Sequence, residues 1–155
     1  MDIKLEEYAF MPERAYEDDG GADLFSPIDV LIEPGKSVCI DTGVHVKLPF
    51  EVIRCKSRDG DGDIYKKRKT VGILAGKSGL GTKHGITAFM GIIDFGYSGT
   101  ITVMLTNTSD EPYQVSRGDK IAQLLVVPVI TPHLNQIDTL WESERGENGF
   151  GSTGK

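Results

Sequence analysis

The sequence predicts an all-β protein, because short alternating or β-branched stretches recur along it while a helical period is nearly absent. From Val44 to Leu48 the apolar residues occupy alternate positions, the pattern of a strand with one buried face. Residues 99–105 (GTITVML) are rich in β-branched side chains, with Ile101, Val103 and Leu105 on one face. Residues 121–130 (IAQLLVVPVI) are more continuously apolar, as in a strand buried on both faces.

Turn-forming residues separate these stretches at a spacing of roughly 8–12 residues, which favours a sandwich or barrel. They occur at 33–35 (EPG), 107–110 (NTSD) and 117–119 (RGD). The length of 155 residues fits one domain. We divide the chain into a β domain over 1–141 and a polar arm over 142–155, whose four glycines and few apolar residues leave it unable to form a core.

Composition limits the classes of partner. Net charge of −6 argues against stable nucleic-acid binding, which depends on a basic surface. No apolar run is long enough to cross a membrane, and the acidic N-terminus does not resemble a signal peptide, so we expect a cytoplasmic protein. Cys39 and Cys55 fit no metal spacing and fall in apolar or alternating stretches, which predicts buried thiols rather than a disulfide.

A glycine-bounded loop at 75–81 (AGKSGLG) contains the first candidate site residues. Lys77, Ser78 and the bare backbone at Gly79 have the chemistry to hold phosphates. The loop is not a P-loop, because the GxxxxGK[ST] order is missing and no helical pattern follows. Taken alone, this string favours an ordinary surface turn over a phosphate-binding loop.

Two aspartates are candidates for catalysis or metal binding. Asp94 follows two apolar residues and precedes Gly96, which places it where a strand enters a hairpin. There a carboxylate either forms the turn or acts as a base held against water. Asp23, which we expect to head the first strand, has the same ambiguity, and magnesium prefers such oxygen ligands.

The C-terminal arm is a third candidate. Residues 149–154 (GFGSTG) combine open backbone N–H groups, two hydroxyls and one aromatic ring, with Arg145 just upstream. Glycine-rich backbone can curl around phosphate, arginine can form two hydrogen bonds to it, and Phe150 can stack on a flat ring. A simple disordered terminus would have the same composition.

Together and in order, five segments resemble the motifs of the trimeric dUTPase family: 20–26 (GGADLFS), 76–86 (GKSGLGTKHGI), 91–99 (GIIDFGYSG), 117–124 (RGDKIAQL) and 145–154 (RGENGFGSTG). The resemblance covers nearly the whole chain except residues 54–70. It implies a homotrimer of β-jelly-roll subunits with exchanged C-terminal arms and active sites at the subunit interfaces. It also implies Mg²⁺-dependent cleavage of dUTP to dUMP and pyrophosphate, by water attack at the α-phosphorus.

The resemblance also implies roles for the residues of the third motif. Asp94 would position and activate the attacking water, and Tyr97 would pack beneath the deoxyribose. Ile92 and Ile93 would contact the nucleoside. Ala88 stands where many family members place an asparagine against the nucleoside.

The phosphates, by the same resemblance, would be held by Lys77, Ser78, Gly79 and Gln123, while Asp23 would order metal-bound water. Lys77 replaces the arginine usual in the second motif, which keeps the charge but loses the two-pronged hydrogen bonding. The arm would stack on uracil and cradle the γ-phosphate through Arg145, Phe150, Gly151, Ser152 and Thr153.

Residues 54–70 form an insertion relative to the family pattern. Their Asp59–Asp63 run resembles the opening of a calcium loop, but Ile64 stands at the required glycine and Thr70 at the closing glutamate, so an EF-hand is excluded. We expect a solvated hairpin with a basic far limb. A partner-binding element is the alternative.

Two other functions remain open at this point. The dCTP deaminases share the fold, but their catalytic glutamate lies ten residues beyond the position of Asp94, where this chain has Met104. A thioether cannot transfer protons, which disfavours deamination. A nucleotide-sensing trimer that binds a protein partner through the insertion is the other alternative.

Overall fold

The computed structural model describes residues 1–56 and 63–139. In these residues the chain forms short strands and one short helix, which confirms the all-β prediction. The elements are β1 (Asp2–Leu5), β2 (Gly21–Phe25), β3 (Val30–Ile32), β4 (Ser37–Asp41), β5 (Val44–Lys47), β6 (Glu51–Lys56), β7 (Asp63–Arg68), β8 (Thr70–Ala75), α1 (Ser78–His84), β9 (Ile86–Ala88), β10 (Ile92–Ile93), β11 (Thr102–Asn107), β12 (Tyr113–Val115) and β13 (Lys120–Pro128).

The strands pair antiparallel in small sheets. The largest has the order β10-β8-β13-β2, and a second has the order β4-β11-β9. Pairs β1-β5, β12-β3 and β6-β7 complete the described part. The predicted turns connect these strands. Two of the turns contain a glycine at positive φ, Gly35 at 70° and Gly118 at 91°, where other residues would be strained.

Alternating apolar residues form one core. Val103 and Leu105 are fully buried on one side of β11, as is Ile101 just before the strand, as their spacing predicts. Val44 and Val46 are buried on β5. Each such side chain stabilises the fold by about 1.5–3 kcal/mol relative to exposure. The alternating pattern therefore correctly identified which face of these strands is buried.

Two burial predictions need correction. Ile121, Ala122 and Leu124 of β13 are buried, but residues 125–127 are only half-buried, so the strand is enclosed on both faces in its first half alone. Both thiols are free, with Cys39 exposed and Cys55 half-buried, so the prediction of buried thiols is wrong. Cys39 alternates with the buried Ile40 on β4 and therefore points outward.

The helix α1 is a further departure from prediction, because no helical pattern was recognised after the 75–81 loop. Gly79 and Gly81 are poor helix formers and hide the pattern. The helix ends at Gly85, whose left-handed conformation (φ 65°) lets its N–H bond back to Gly81 and Leu80 carbonyls. The P-loop remains excluded by its missing residue order. No described helix has the length and apolar character needed to cross a membrane.

The predicted charged hairpin is present as β6 and β7, although it begins at Glu51, earlier than residue 54. All six residues of β7 are exposed. The connecting residues 57–62 lie outside the described part of the chain. At its base, Phe50 packs on Phe95 with ring centroids 4.6 Å apart, and the Lys69 ammonium lies 6.0 Å from the Phe95 centroid.

Candidate functional site

The central strand β13 assembles a polar cavity of about 260 Å³. Gln123 of β13 pairs with Asp23 on β2 and with Ala75 at the end of β8, so these residues of three neighbouring strands lie side by side across the sheet. Lys77 and Ser78 follow β8 directly and also line the cavity. The structure thus brings together four of the predicted phosphate and metal residues.

Asp23 is the electrostatic centre of this cavity. It is the third residue of β2, so the prediction that it heads the first strand is wrong: β1 precedes it, and both of its chain neighbours are strand residues. Its carboxylate is buried and accepts hydrogen bonds from Lys77 Nζ on Oδ1 and from Lys120 Nζ, 2.9 Å away, on Oδ2. Burial by itself raises the pKa of Asp23, but the two ammonium groups outweigh it and lower that pKa.

Two lysines contact the one carboxylate of Asp23, and Asp19 is a second acid on the wall of the polar cavity. Lys120 was missed as a site residue, although it lies in the 117–124 motif. In a regular strand, positions 120 and 123 face opposite sides, but the register of β13 against β2 shifts between Lys120 and Ala122. This bulge brings Lys120 to the same carboxylate that Gln123 faces. Single-strand alternation therefore gave no signal for it.

Close backbone packing fixes Gln123. Its Nε2 donates to the Gly76 carbonyl at 3.2 Å. A Cβ at Gly21 would come within 2.5 Å of Gln123 Oε1, so only glycine leaves room for this amide. Gly79, in the first turn of α1, does not line the polar cavity although its neighbour Ser78 does.

A second, apolar cavity of about 320 Å³ lies at β10 and the turn that follows. It is lined by four predicted residues, Ile92, Ile93, Asp94 and Tyr97, and by Leu74, Phe89, Gly91, Thr100, Thr102 and Met104. Asp94 directly follows β10, at the strand-to-turn position that its sequence context predicts. The thioether of Met104 occupies the wall where a deaminase would need a carboxylate.

The turn after β10 is closed by internal hydrogen bonds. The Tyr97 N–H donates to the Asp94 carbonyl at 3.0 Å, and the Tyr97 hydroxyl donates to the Thr100 carbonyl at 2.9 Å. An added Cβ at Gly99 would collide with the Tyr97 ring and hydroxyl. The phenol ring is therefore held across the turn, with its other surface available to the cavity.

Among residues 1–56 and 63–139, the two cavities share no lining residue. Ala88 lines neither of them and lies beside Gly76, with the Ala88 nitrogen 3.5 Å from the position of a Cβ there. The predicted arm residues Arg145, Phe150, Gly151, Ser152 and Thr153 lie outside the described part of the chain. The candidate site is thus present as two separate halves.

No group of three or more His, Cys, Asp or Glu side chains suited to a metal ion occurs among residues 1–56 and 63–139. Asp23 is a single carboxylate, and both of its oxygens accept hydrogen bonds from lysine. Magnesium prefers six oxygen ligands and commonly keeps several waters. These residues therefore do not form a protein-only metal cage.

A lysine-lined polar cavity suits phosphate groups, and an apolar cavity walled by tyrosine and isoleucine suits a sugar and a flat base. Carried on short antiparallel strands, this pair of cavities defines an all-β nucleotide-binding protein. The dUTPase family model matches residues 61–154. The chain belongs to the dUTPase family.

Individual relatives agree with this assignment. The deoxyuridine 5'-triphosphate nucleotidohydrolase of Clostridium tetani is 37% identical over 153 residues, covering 97% of this chain and 93% of the relative. The dUTPase of Staphylococcus bacteriophage 80alpha, solved with dUpNHpp and described as controlling transfer of virulence genes, is 31% identical, with a TM-score of 0.80 and coverage of 99% and 98%. A mutant dUTPase from phage phi11 of S. aureus, described as coordinating a structural Mg(II) ion, is 30% identical with a TM-score of 0.71, covering 89% of this chain and 96% of that one.

Proposed function

We propose that the chain is a dUTP diphosphatase, which hydrolyses dUTP to dUMP and pyrophosphate by water attack at the α-phosphorus. The observation that carries this proposal is the position of Asp94 on the wall of the apolar cavity, beside Tyr97. Family membership supplies the substrate class, because the relatives are named as deoxyuridine triphosphate nucleotidohydrolases. In a cell, the reaction would supply dUMP and keep uracil out of DNA.

In this mechanism, Asp94 accepts a hydrogen bond from the attacking water and orients it in line with the leaving pyrophosphate. Tyr97 packs under the deoxyribose, and its hydrogen bond to Thr100 fixes the distance between ring and sugar. A ribose 2′-hydroxyl would then meet the ring and be rejected. Ile92 and Ile93 contact the nucleoside, with β10 backbone available to the uracil edge.

The polar cavity would receive the triphosphate. Lys77, Ser78 and Gln123 donate hydrogen bonds to phosphate oxygens, and Lys120 adds positive charge from the opposite side of Asp23. Gly79 lies one residue beyond Ser78 and would contribute only if the phosphates extend past the cavity. When substrate enters, the ammonium groups exchange part of their interaction with Asp23 for phosphate. Lys77 and Lys120 thus supply local positive charge to the phosphates in a chain whose overall charge is −6.

Magnesium is the proposed cofactor, and Asp23 would hold it through water while the phosphates provide most ligands. Bound there, the ion would neutralise charge on the leaving pyrophosphate. Asp23 itself contributes a carboxylate that stays ionised at neutral pH, because Lys77 and Lys120 lower its pKa. That carboxylate would become available to order cation-bound water once the ammonium groups exchange part of their interaction with Asp23 for phosphate.

A homotrimer is the proposed assembly. Nucleoside and phosphate residues line separate cavities in one chain, so a complete site needs the polar cavity of one subunit next to the apolar cavity of another. The arm, residues 142–155, would close over that site and bring Arg145 and Phe150 to the nucleotide. The cytoplasm is the proposed location.

The test is pyrophosphate release from dUTP, dCTP, dTTP and UTP with magnesium, with ammonia measured in parallel. We expect pyrophosphate from dUTP alone. Asp94→Asn should retain nucleotide binding and lose most hydrolysis, whereas Asp110→Asn, an exposed aspartate in another turn, should behave as wild type. Ammonia from dCTP, or near-wild-type turnover by Asp94→Asn, would refute the assignment.

The hairpin favours a second, additional function as a binding site for a protein partner. Its strand β7 exposes six consecutive residues, including Tyr65 at 64% and a basic run from Lys66. The 80alpha relative is described as controlling gene transfer. Replacing residues 57–69 by a short turn should spare dUTP hydrolysis and abolish partner binding. A folded but inactive variant would instead place the hairpin in the catalytic machinery.

A further inference from the structure

The turn that carries Asp94 and Tyr97 is held from outside by one histidine. His45, the second residue of β5, lies with its Nδ1 2.8 Å from the backbone oxygen of Ser98. Ser98 directly follows Tyr97 and precedes Thr100, and both of these residues line the apolar cavity. The imidazole therefore contacts the turn between the cavity-lining residues Tyr97 and Thr100.

The second ring nitrogen is also engaged. His45 Nε2 lies 2.8 Å from Glu6 Oε1, and Lys4 Nζ lies 3.1 Å from the same oxygen. A backbone carbonyl can only accept a hydrogen bond, and an ionised carboxylate likewise only accepts. A neutral imidazole has a single N–H, so both contacts can be hydrogen bonds at once only when the ring is a doubly protonated imidazolium.

The two hydrogen bonds to the ring favour that form, whereas the nearby charge of Lys4 opposes it. Lys4 lies directly across the β1-β5 pair from His45, and Lys47, two residues further along β5, pairs with Asp2 at 3.6 Å. Hydrogen bonds from His45 and then from Lys4 lower the pKa of Glu6, which keeps it ionised at neutral pH. The Ser98 carbonyl, and then Glu6, raise the pKa of His45 above its ordinary value, against desolvation and the charge of Lys4.

We propose that His45 is a positioning residue for the dUTP hydrolysis proposed above: as an imidazolium it ties residues 94–100 to the Glu6 end of β1, and so holds Tyr97 in place under the sugar. On losing a proton, the ring keeps only one of the two hydrogen bonds. The histidine then no longer bridges Ser98 and Glu6, and the turn loses its connection to Glu6. The contact is at Ser98, next to Tyr97 and four residues from Asp94. Because Tyr97 contacts the sugar and does no chemistry, KM should respond more than kcat.

Two substitutions separate the two bonds. In His45→Asn the amide nitrogen lies near the place of Nδ1 and can donate to Ser98, whereas in His45→Gln it lies near the place of Nε2 and can donate to Glu6. Neither side chain titrates. The matched control is Lys47→Ala, which removes a lysine from the same strand face without touching Ser98 or Glu6.

The experiment measures kcat and KM for dUTP with magnesium from pH 6 to pH 9. In the wild type and in Lys47→Ala, KM should rise about fivefold as pH passes the midpoint of His45, which corresponds to about 1 kcal/mol and is typical of one hydrogen bond. His45→Asn should keep the low KM throughout, and His45→Gln should have the high KM throughout. Titration of dUTP itself is common to all variants and cancels in the comparison.

A second readout does not depend on turnover. The His45 ring proton, identified by its absence from the spectrum of His45→Asn, should titrate by NMR above pH 6.5, and lower in Glu6→Gln. The amide signals of Ser98 and Gly99 should follow the same midpoint. A midpoint at or below 6.5, or a KM rise that survives in His45→Asn, overturns the proposal. If no nucleotide is hydrolysed, the proposed function fails, while the ring and amide titrations still decide whether the imidazolium ties the turn.

Discussion

Replacing Asp23 by asparagine tests the charge cluster of the polar cavity. The Asp23 side chain is 6% exposed, whereas its partners Lys77 and Lys120 are 28% and 44% exposed. Removing one member of a fully buried ion pair costs about 3–5 kcal/mol, and an exposed pair contributes about 0–1 kcal/mol. Because both lysines can turn towards water, we expect Asp23→Asn to lower the free energy of unfolding by about 2 kcal/mol, a value between these limits.

The pH dependence of this loss has a defined sign. Lys77 and Lys120 lower the pKa of Asp23 in the folded state, so its charge stabilises the fold fully above the unfolded pKa of about 3.9. That stabilisation disappears as pH falls through the lowered folded pKa. The difference between wild type and Asp23→Asn should therefore be constant from pH 8 down to about pH 4 and shrink below it.

Urea unfolding followed by far-ultraviolet circular dichroism measures the difference. The protein concentration must be fixed, because the stability of an oligomer depends on it. Asp18→Asn, an exposed neighbour on the loop before β2, makes the same change of net charge and should stay within about 0.5 kcal/mol of wild type. A difference for Asp23→Asn below 0.5 kcal/mol at pH 7.5, or one that grows on acidification, would refute the role of the ion pairs.

Three further changes test other parts of the molecule. Asn107→Ala should cost about 2–4 kcal/mol in urea unfolding, because the buried amide donates to the Ile32 and Glu111 carbonyls at 2.8 and 2.7 Å and the buried Ile32 oxygen would lose its partner; a loss below 1 kcal/mol would contradict this. Gly72→Ala should raise KM for dUTP and cost about 1–3 kcal/mol, since its Cβ would lie 2.9 Å from Leu124 Cδ1 and 3.1 Å from Ile93 Cβ; an unchanged KM would show that Ile93 does not shape the nucleoside cavity. Removal of residues 145–155 should leave the circular dichroism spectrum unchanged and abolish most pyrophosphate release, and an active truncated chain would remove the arm from the mechanism.

The fold class was predictable because alternate residues of a strand face opposite sides, so an alternating apolar pattern indicates the buried face. Ile101, Val103 and Leu105 show this, since a spacing of two residues alone assigned all three to the buried face. Cys39 shows the limit. It lies next to Ile40 in an apolar stretch, and composition cannot tell which of two neighbours on a strand points outward.

Site residues that lie close together in one sequence motif could be predicted. Site residues that meet only through the pairing of distant strands could not. Asp94 and Tyr97 come together on one turn, so their grouping was visible in the chain. Lys120 reaches Asp23 only because of a bulge in β13, which no local pattern indicates. The contact of His45 with Ser98 joins residues 53 positions apart and has no sequence signature at all. The predicted roles of the arm residues stay predictions.

The separation of the polar and apolar cavities has a genetic consequence. In the proposed trimer, a subunit damaged in one cavity still offers an intact copy of the other. Chains carrying Lys77→Met and chains carrying Asp94→Asn, each inactive alone, would then complement one another when unfolded and reassembled together. With equal amounts of the two chains and random mixing, half of the sites take their apolar cavity from a Lys77→Met chain, in which that cavity is intact. Half take their polar cavity from an Asp94→Asn chain, in which that cavity is intact. About a quarter of the sites would therefore have both cavities intact. Two defective alleles of this protein in one cell would thus restore a measurable share of each other's activity.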